Sequence, residues 1–215
     1  MSSPDLVALH LADDASPWEA LGFLVEDDAI RLGDVELRLN GRGAGRGLYG
    51  WSLSGAASTD LDGLATTLED RDGSPALPEH PNGAVALDHV VVFTPGFDRT
   101  LAALEAAGFD LRRVAEIGVE YAPVRRAFYK LGKVVLEVVD QVRGPNGEEV
   151  DPDGPAFFWG IAVTATDVDG LAAQLGDATS GARDAVQPGR RIVPLRRAAG
   201  LVLPMAFMSP EPARR

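Results

Sequence analysis

The chain has 215 residues, 46% of them hydrophobic and 24% charged, which is the composition of a globular protein with one large domain or two small ones. The formal net charge of −12 argues against a nucleic-acid partner, because a negative surface repels phosphate backbones. The absence of cysteine excludes disulfides and thiolate metal sites, and no apolar run is long enough to span a membrane. Residues 1–17 lack the features of a signal peptide, so we expect a cytoplasmic protein.

The N-terminal residues alternate strands with one short helix. In chain order we predict a strand over 6–12, a helix over 16–23 and strands within 29–39. Ser16 and Pro17 favour a helix start at this point, and Gly22 favours its end. The glycine-rich residues 40–47 predict a flexible turn rather than a phosphate-binding loop, because no GK[ST] motif follows them.

A near-repeat links two distant parts of the chain. Residues 50–68 and 160–175 both run from glycine through a short apolar strand into Asp-x-Asp-Gly-Leu-Ala and end in leucine. We predict a strand followed by a helix in both copies, because repeated units bury their apolar faces against each other. The proline-rich residues 74–83 predict a loop or a seam between halves. His80 lies in this stretch, and we expect its side chain to be solvated.

The clearest strand-and-helix unit follows this seam. It is predicted to contain a strand over 87–93, a helix over 99–108 and strands near 111–116, 125–132 and 134–140. Asp98 can cap the helix, and Leu101, Leu104 and Ala107 share one of its faces. After a polar linker and the second repeat copy, two more strands are predicted near 190–197 and 201–209.

Four such units fill the chain, each with one strand, a helix and two or three further strands. Short helices between strands predict an α+β fold, in which sheets curve and helices cover their outer faces. We divide the chain into a degenerate N-terminal half, residues 1–84, and a C-terminal half, residues 85–215.

Two polar side chains stand within apolar strands of the C-terminal half. His89 opens one such strand, and Glu137 lies at the centre of Val-Val-Leu-Glu-Val-Val. Both faces of the second strand are apolar, so the Glu137 carboxylate is at least partly buried and needs a cation, a donor or a proton as its partner. Imidazole and carboxylate together commonly bind a divalent metal. Alternatively, Arg125, Arg126 or Tyr129 in the preceding strand could supply a plain contact.

These residues carry a family resemblance. The segments LDHVVV, TPGFDRT, LAALEAAGF and LGKVVLEVV resemble one βαβββ module of the vicinal oxygen chelate superfamily. This superfamily includes glyoxalase I, bleomycin- and fosfomycin-resistance proteins and extradiol dioxygenases. The resemblance covers residues 85–210 best, and the near-repeat extends it over 5–84.

The resemblance implies a cup of curved sheet around a divalent metal, with ligands from the first and last strands of each module. His89 and Glu137 match these two positions in the third unit. In the fourth unit the matching positions fall at about Gly160 and at residues 204–207, which offer no ligand. Two of the four expected ligands are therefore present.

The resemblance implies two classes of function, and a structural or interaction role, with the paired halves forming a scaffold, is the third. One class is a glyoxalase-type lyase, isomerase or dioxygenase acting on a small oxygenated molecule. In it a metal on His89 and Glu137 polarises a substrate oxygen, or Glu137 acts as a general base. The other is a metal-free small-molecule binding or drug-sequestering protein. Its pocket would be lined by aromatic side chains and Arg126, namely Tyr121, Arg126, Phe128, Tyr129, Phe157, Phe158 and Trp159. The chain could be a monomer with internally paired modules or a homodimer.

Overall fold

The computed structural model describes residues 3–70, 77–117, 124–141, 143 and 148–212. Within these residues it contains thirteen strands, β1 to β13, and three α-helices, α1 to α3. The strands are Asp5–Leu11, Ala29–Leu32, Val35–Leu39, Leu48–Ser54, Thr66–Leu68, Ala84–Thr94, Leu111–Ile117, Val124–Leu131, Val134–Asp140, Phe157–Ala165, Arg183–Asp184, Arg191–Pro194 and Met205–Met208. The helices are Ala15–Ala20, Phe97–Ala106 and Val168–Leu175. Of the described helices, none is both long and apolar enough to cross a bilayer.

The larger of the two sheets has eight strands and contains two βαβββ modules side by side. Its strand order is β11-β12-β13-β10-β6-β9-β8-β7. In each module the first strand pairs in parallel with the last, β6 with β9 and β10 with β13. The remaining neighbours within each module are antiparallel. The predicted α+β class with mixed sheets is confirmed, and so is the repetition of the module over the C-terminal half.

The smaller sheet has five strands in the order β2-β3-β1-β4-β5 and departs from the module pattern. The predicted helix in the first repeat copy is wrong, because the chain runs from β4 to β5 without one. Asp62 and Gly63 adopt φ of 55° and 90° there, left-handed values that a right-handed helix does not contain. Thr66 and Thr67 then enter β5, as their β-branched side chains favour. The second copy forms β10 and α3 as predicted.

The N-cap residues of α1 and α2 are not the ones predicted. Ser16 is inside α1, whose N-cap residue is Asp14, and Asp98 is inside the first turn of α2, whose N-cap residue is Gly96. The Asp14 side chain accepts no capping hydrogen bond, and Gly96 has no side chain that could. Gly22 follows the end of α1 at a φ of 82°, as its predicted role requires.

The chain forms two compact units. Unit 1 comprises the described residues within 1–8, 49–72 and 89–159, and unit 2 those within 9–48, 73–88 and 160–215. The limits of the units fall inside β1, β4, β6 and β10, so each of these strands contributes to both. The domain boundary predicted between residues 84 and 85 stays a prediction.

A series of aromatic rings forms part of the core of unit 1. Trp51 contacts Phe158 and Phe109, with ring centroids 5.1 and 6.1 Å apart, and Phe109 contacts Tyr129 at 6.2 Å. The indole Nε1 of Trp51 donates to Thr66 Oγ1 over 2.7 Å. The hydroxyl of Tyr129 is buried and has no hydrogen-bond partner within the described part of the chain.

Replacing Tyr129 with phenylalanine should raise the free energy of unfolding by about 1 kcal/mol, because a buried polar group without a partner costs about 1–3 kcal/mol. Burial also raises the pKa of this hydroxyl. The unfolded chain ionises its tyrosines near pH 10, so stability falls as the pH rises above that value. The substitution should remove the part of the stability loss at alkaline pH that comes from Tyr129. Urea unfolding at neutral and alkaline pH measures both effects, and Tyr49→Phe, at a partly exposed tyrosine, is the control. A destabilised Tyr129→Phe variant would contradict the expectation.

His80 in unit 2 is buried, so the prediction of a solvated side chain is wrong. The backbone N–H of Leu24 donates to His80 Nδ1 over 3.0 Å. Nε2 therefore carries the proton and donates to the carbonyl oxygen of Arg31 over 2.8 Å. The proline neighbours of His80 indicate a loop, but the imidazole is buried and joins two backbone segments.

Asp13 is a second buried polar residue of unit 2. Its side chain is 0% exposed, and Oδ2 accepts from the indole Nε1 of Trp18 and from the backbone N–H of Val202, each over 3.2 Å. The Arg42 Nε lies 3.5 Å from Oδ1. One carboxylate therefore satisfies donors from three separate parts of the chain.

Candidate functional site

The strand register places the two predicted ligands on the same face of unit 1. In the parallel pair β6 and β9, His89 lies opposite Val135 and Val91 lies opposite Glu137. His89 and Glu137 are thus two positions apart on neighbouring strands, with side chains on one side of the sheet. The spacing of strands and residues puts their Cα atoms about 8 Å apart.

Glu137 is paired with Arg126 of the adjacent strand β8. The Nη1 of Arg126 donates to Glu137 Oε1 over 2.8 Å. The Glu137 side chain is 13% exposed and that of Arg126 is 33% exposed. The Nε of Arg126 is buried and has no hydrogen-bond partner among the residues described. Of the several partners that were predicted for Glu137, the structure shows Arg126.

Three aromatic rings lie together on unit 1 at the end of β6 and the start of β10. Phe93 stacks on Trp159 with ring centroids 5.2 Å apart and planes 13° apart, and it meets Phe157 edge-on at 6.0 Å. Phe157 and Trp159 are two residues apart in a strand and so share a side, while Phe158 between them contacts Trp51 in the core. Phe157 and Trp159 are 43% and 44% exposed.

Phe93 shares its side of β6 with His89 and Val91, so the rings and the ion pair belong to one face. We call it the aromatic face, defined by Phe93, Arg126, Glu137, Phe157 and Trp159. It combines apolar rings that are partly open to solvent with a charged pair whose arginine side chain is one-third exposed.

Helix α2 covers the opposite side of the same strands. Arg125 lies next to Arg126 in β8, and its Nε donates to Asp140 Oδ2 over 2.8 Å. Its Nη1 donates to Asp98 in α2 over 3.0 Å, and its guanidinium lies 4.4 Å from the Phe97 ring centroid. The hydrogen bond with Asp140 raises the pKa of Arg125. Helix α2 therefore packs on the side of the sheet away from the aromatic face.

The predicted pocket residues divide between these two sides. Arg126 and Trp159 belong to the aromatic face, and Phe128 lies on the same side of β8, below the Arg113 guanidinium at 5.4 Å. Tyr129 lies on the other side and is buried, so it does not line this face. Tyr121 lies outside the described residues.

Sequence reasoning did not include Phe93 in the site. Its position four residues after His89 in one strand puts both on the same side, and this alternation was the available signal. The contact with Trp159 was not readable from the sequence, because the two strands are far apart along the chain and their register depends on the sheet.

Hydrogen bonds from Arg99 and Ala156 hold the segment that leads into β10 in place. The Arg99 Nε donates to Asp62 Oδ1 over 2.7 Å, and its Nη1 donates to the carbonyl oxygen of Pro152 over 2.9 Å. The backbone N–H of Ala156 donates to the carbonyl oxygen of Asp62 over 2.9 Å. The hydrogen bond with Asp62 raises the pKa of Arg99. These contacts set the position from which Phe157 and Trp159 extend.

The described residues of this face do not provide a complete ligand set for a divalent metal. Within the described ranges no group of three or more His, Cys, Asp or Glu side chains is arranged to hold one. A metal at Glu137 would also lie beside the Arg126 guanidinium, which repels a second cation. In the C-terminal module a Cβ at Gly160 would lie 2.4 Å from the Pro204 carbonyl oxygen, so no ligand side chain can occupy that position. The metal site on His89 and Glu137 stays a prediction.

Comparison with known proteins gives a fold but no close relative. No protein-family model and no curated protein matches the sequence. A variant of 4-hydroxymandelate synthase from Streptomyces coelicolor matches the structure with a TM-score of 0.65 over 100% of this chain and 95% of that one, at 15% sequence identity. The chain has the vicinal oxygen chelate fold.

A second structure with the vicinal oxygen chelate fold extends the comparison. A fusion of a xylose isomerase-like TIM barrel with 4-hydroxyphenylpyruvate dioxygenase matches with a TM-score of 0.61 at 13% identity. The match covers 100% of this chain and 50% of that protein. The family resemblance of the sequence is thereby confirmed at the level of the fold. A shared fold does not determine activity, which depends on the side chains at the site.

Proposed function

We propose that this protein binds a small, flat molecule on the aromatic face without the help of a divalent metal. The observation that carries the proposal is the stack of Phe93 and Trp159 with Phe157 beside it, in which two of the rings remain more than two-fifths exposed. Large exposed aromatic side chains that are clustered and held by their neighbours are typical of ligand sites.

The ion pair beside the rings indicates which polar group the ligand carries. Arg126 donates to Glu137 through Nη1, and its side chain is 33% exposed. A ligand oxygen, from a carbonyl, a carboxylate or a sulfonate, would accept from this guanidinium. We therefore expect an aromatic or conjugated molecule that bears an oxygen acceptor at one end.

Titration with 1-anilinonaphthalene-8-sulfonate, a flat aromatic anion, tests the proposal. Trp159→Ala should weaken binding of this probe about tenfold, because an aromatic pair and its buried area contribute roughly 1–2 kcal/mol. Val186→Ala is the matched control, since Val186 is 80% exposed and belongs to unit 2. Its binding should equal that of the unmodified protein, and EDTA should change neither value. Equal binding by Trp159→Ala, or loss of binding with EDTA, would contradict the proposal.

A metal-dependent function is the second candidate, because His89 and Glu137 do share a face of adjacent strands. Incubation with manganese, iron or zinc salts, dialysis and elemental analysis decide between the two. Less than about one tenth of an equivalent of retained metal supports metal-free binding. Near-stoichiometric metal that is lost in Glu137→Ala would replace it with the glyoxalase-type alternative.

A further inference from the structure

Three cationic residues surround Phe128 on the side of the larger sheet that carries the aromatic face. Arg113 of β7 lies opposite Phe128, and the central carbon of its guanidinium is 5.4 Å from the centroid of the Phe128 ring. Arg126 and Lys130 lie two residues before and after Phe128 in β8 and so share its side of the strand. The spacing of strands and residues puts the Cα atoms of all three within about 7 Å of the Phe128 Cα. We call Arg113, Arg126 and Lys130 the cationic cluster.

A β-bulge sets the position of Arg113. The pairing of β7 with β8 shifts between Leu111 and Arg113, and from Arg113 to the end of β7 it is regular. Without the shift, Arg113 would lie opposite Ala127, whose side chain is on the other side of the sheet. Bulges commonly re-aim a side chain next to a functional site, and this one turns the Arg113 guanidinium toward the aromatic face.

Carboxylates do not balance the cationic cluster. Among the described residues of unit 1, this side of strands β6 to β10 carries one carboxylate, Glu137, and Arg126 already contacts it over 2.8 Å. Arg113 forms no ion pair with a described residue. The Lys130 Nζ donates to the carbonyl oxygen of Lys133 over 3.4 Å rather than to a carboxylate. A surplus of positive charge therefore stands on one face of a chain whose net charge is −12.

The strand register places the cationic cluster within one ligand's length of the rings. Arg126 lies opposite Val139 in β9, and Val139 lies opposite Phe93 in β6. Arg126 and Phe93 are thus two strand spacings, about 10 Å, apart. Arg113 lies one strand farther from Phe93. A molecule with a ring on Phe93 and Trp159 can therefore reach Arg126 with its other end and approach Arg113.

We propose that the ligand of the aromatic face is a flat aromatic molecule with a dianionic end, and that Arg113 and Lys130 select it for its second negative charge. The proposal rests on the function proposed for this face, because it assumes a ligand at the same rings. Arg126 shares its charge with Glu137 and recognises one oxygen acceptor. Arg113 and Lys130 have no such carboxylate among the described residues, and their field attracts the additional charge.

Compounds with one ring system and different charges test the proposal. At mildly alkaline pH, 2-naphthyl phosphate is a dianion, 2-naphthyl sulfate is a monoanion and 2-methoxynaphthalene is uncharged. In equilibrium dialysis read by naphthalene fluorescence, the phosphate should bind about tenfold more tightly than the ether, with the sulfate between them. Sodium chloride should reduce the difference. Naphthalene-2,3-dicarboxylate, compared with 2-naphthoate, is the second dianion, and the tighter of the two dianions identifies phosphate or dicarboxylate as the source of the charge.

Charge removal at single positions locates the selection. Arg113→Gln and Lys130→Gln should each weaken binding of 2-naphthyl phosphate about threefold, as for one exposed charge pair, and leave binding of the ether unchanged. Arg112→Gln is the matched control, because it removes the same charge at the neighbouring residue, whose guanidinium contacts Asp110 at 3.2 Å. Its loss should be smaller than that of Arg113→Gln. Equal losses at positions 112 and 113 would overturn the proposal.

The dianion and the aromatic site fail in different ways. If 2-methoxynaphthalene binds and loses affinity in Trp159→Ala, while the charged compounds bind no more tightly, the ligand is not a dianion but the aromatic face remains a binding site. If none of the naphthalene compounds binds, both proposals are overturned.

Discussion

Asp13→Ala is expected to lower the free energy of unfolding by about 4 kcal/mol, because it removes a fully buried carboxylate that several donors share. In the variant the Trp18 indole N–H and the Val202 amide N–H lose their acceptor, and the Arg42 guanidinium loses a counter-charge. Buried donors without acceptors keep the cost of leaving water and gain nothing in return.

Urea unfolding followed by circular dichroism measures this change. Asp14→Ala is the matched control, because Asp14 is adjacent, also contacts Arg42, and has a side chain that is 55% exposed. Its expected loss is below about 1 kcal/mol, as for other exposed ion pairs. Asp13→Asn should fall between the two, since it keeps one acceptor oxygen but not the charge. Equal losses at positions 13 and 14 would show that burial of the carboxylate does not matter.

The second large effect is expected at the ion pair of the aromatic face. Arg126→Met should destabilise the protein by about 3 kcal/mol, because Glu137, only 13% exposed, is left as a largely buried charge without its cation. The double variant Arg126→Met/Glu137→Leu should recover most of this loss. Replacing a whole buried pair with apolar side chains of similar volume is often close to neutral.

The four proteins of this double-mutant cycle, compared by urea unfolding, report the coupling between the two side chains. Additive losses would show that the pair does not act as a unit. The double variant also separates stability from binding, since it restores the fold without restoring the guanidinium. We expect it to bind 1-anilinonaphthalene-8-sulfonate more weakly than the unmodified protein. Binding at full strength would assign recognition to the rings alone.

Local sequence pattern was sufficient for most of the C-terminal half. The apolar run at 134–140 forms β9 over the residues predicted, and the strand predicted over 87–93 lies within β6. Both segments could be predicted correctly because they are short apolar runs rich in valine, a length and composition that favour a strand buried on both faces over a helix.

The first repeat copy shows where local pattern failed. Its residues resemble those of the second copy. Asp62 and Gly63 nevertheless adopt left-handed conformations where the second copy forms a helix. Asp62 there accepts hydrogen bonds from Arg99 and Thr100 of α2, far along the chain. Similar sequences thus differ because distant partners hold one of them in a turn.

The sequence by itself determined the class of fold, the βαβββ order of the C-terminal half and the presence of a carboxylate at Glu137 that needs a partner. These follow from alternation, turn residues and the cost of burying charge, which are all local properties. Only the tertiary structure decided that Arg126 is this partner, that Phe93 stacks on Trp159, and that Tyr129 lies on the opposite side. Strand register and sheet order settle such pairings, and both depend on contacts between residues far apart in the chain.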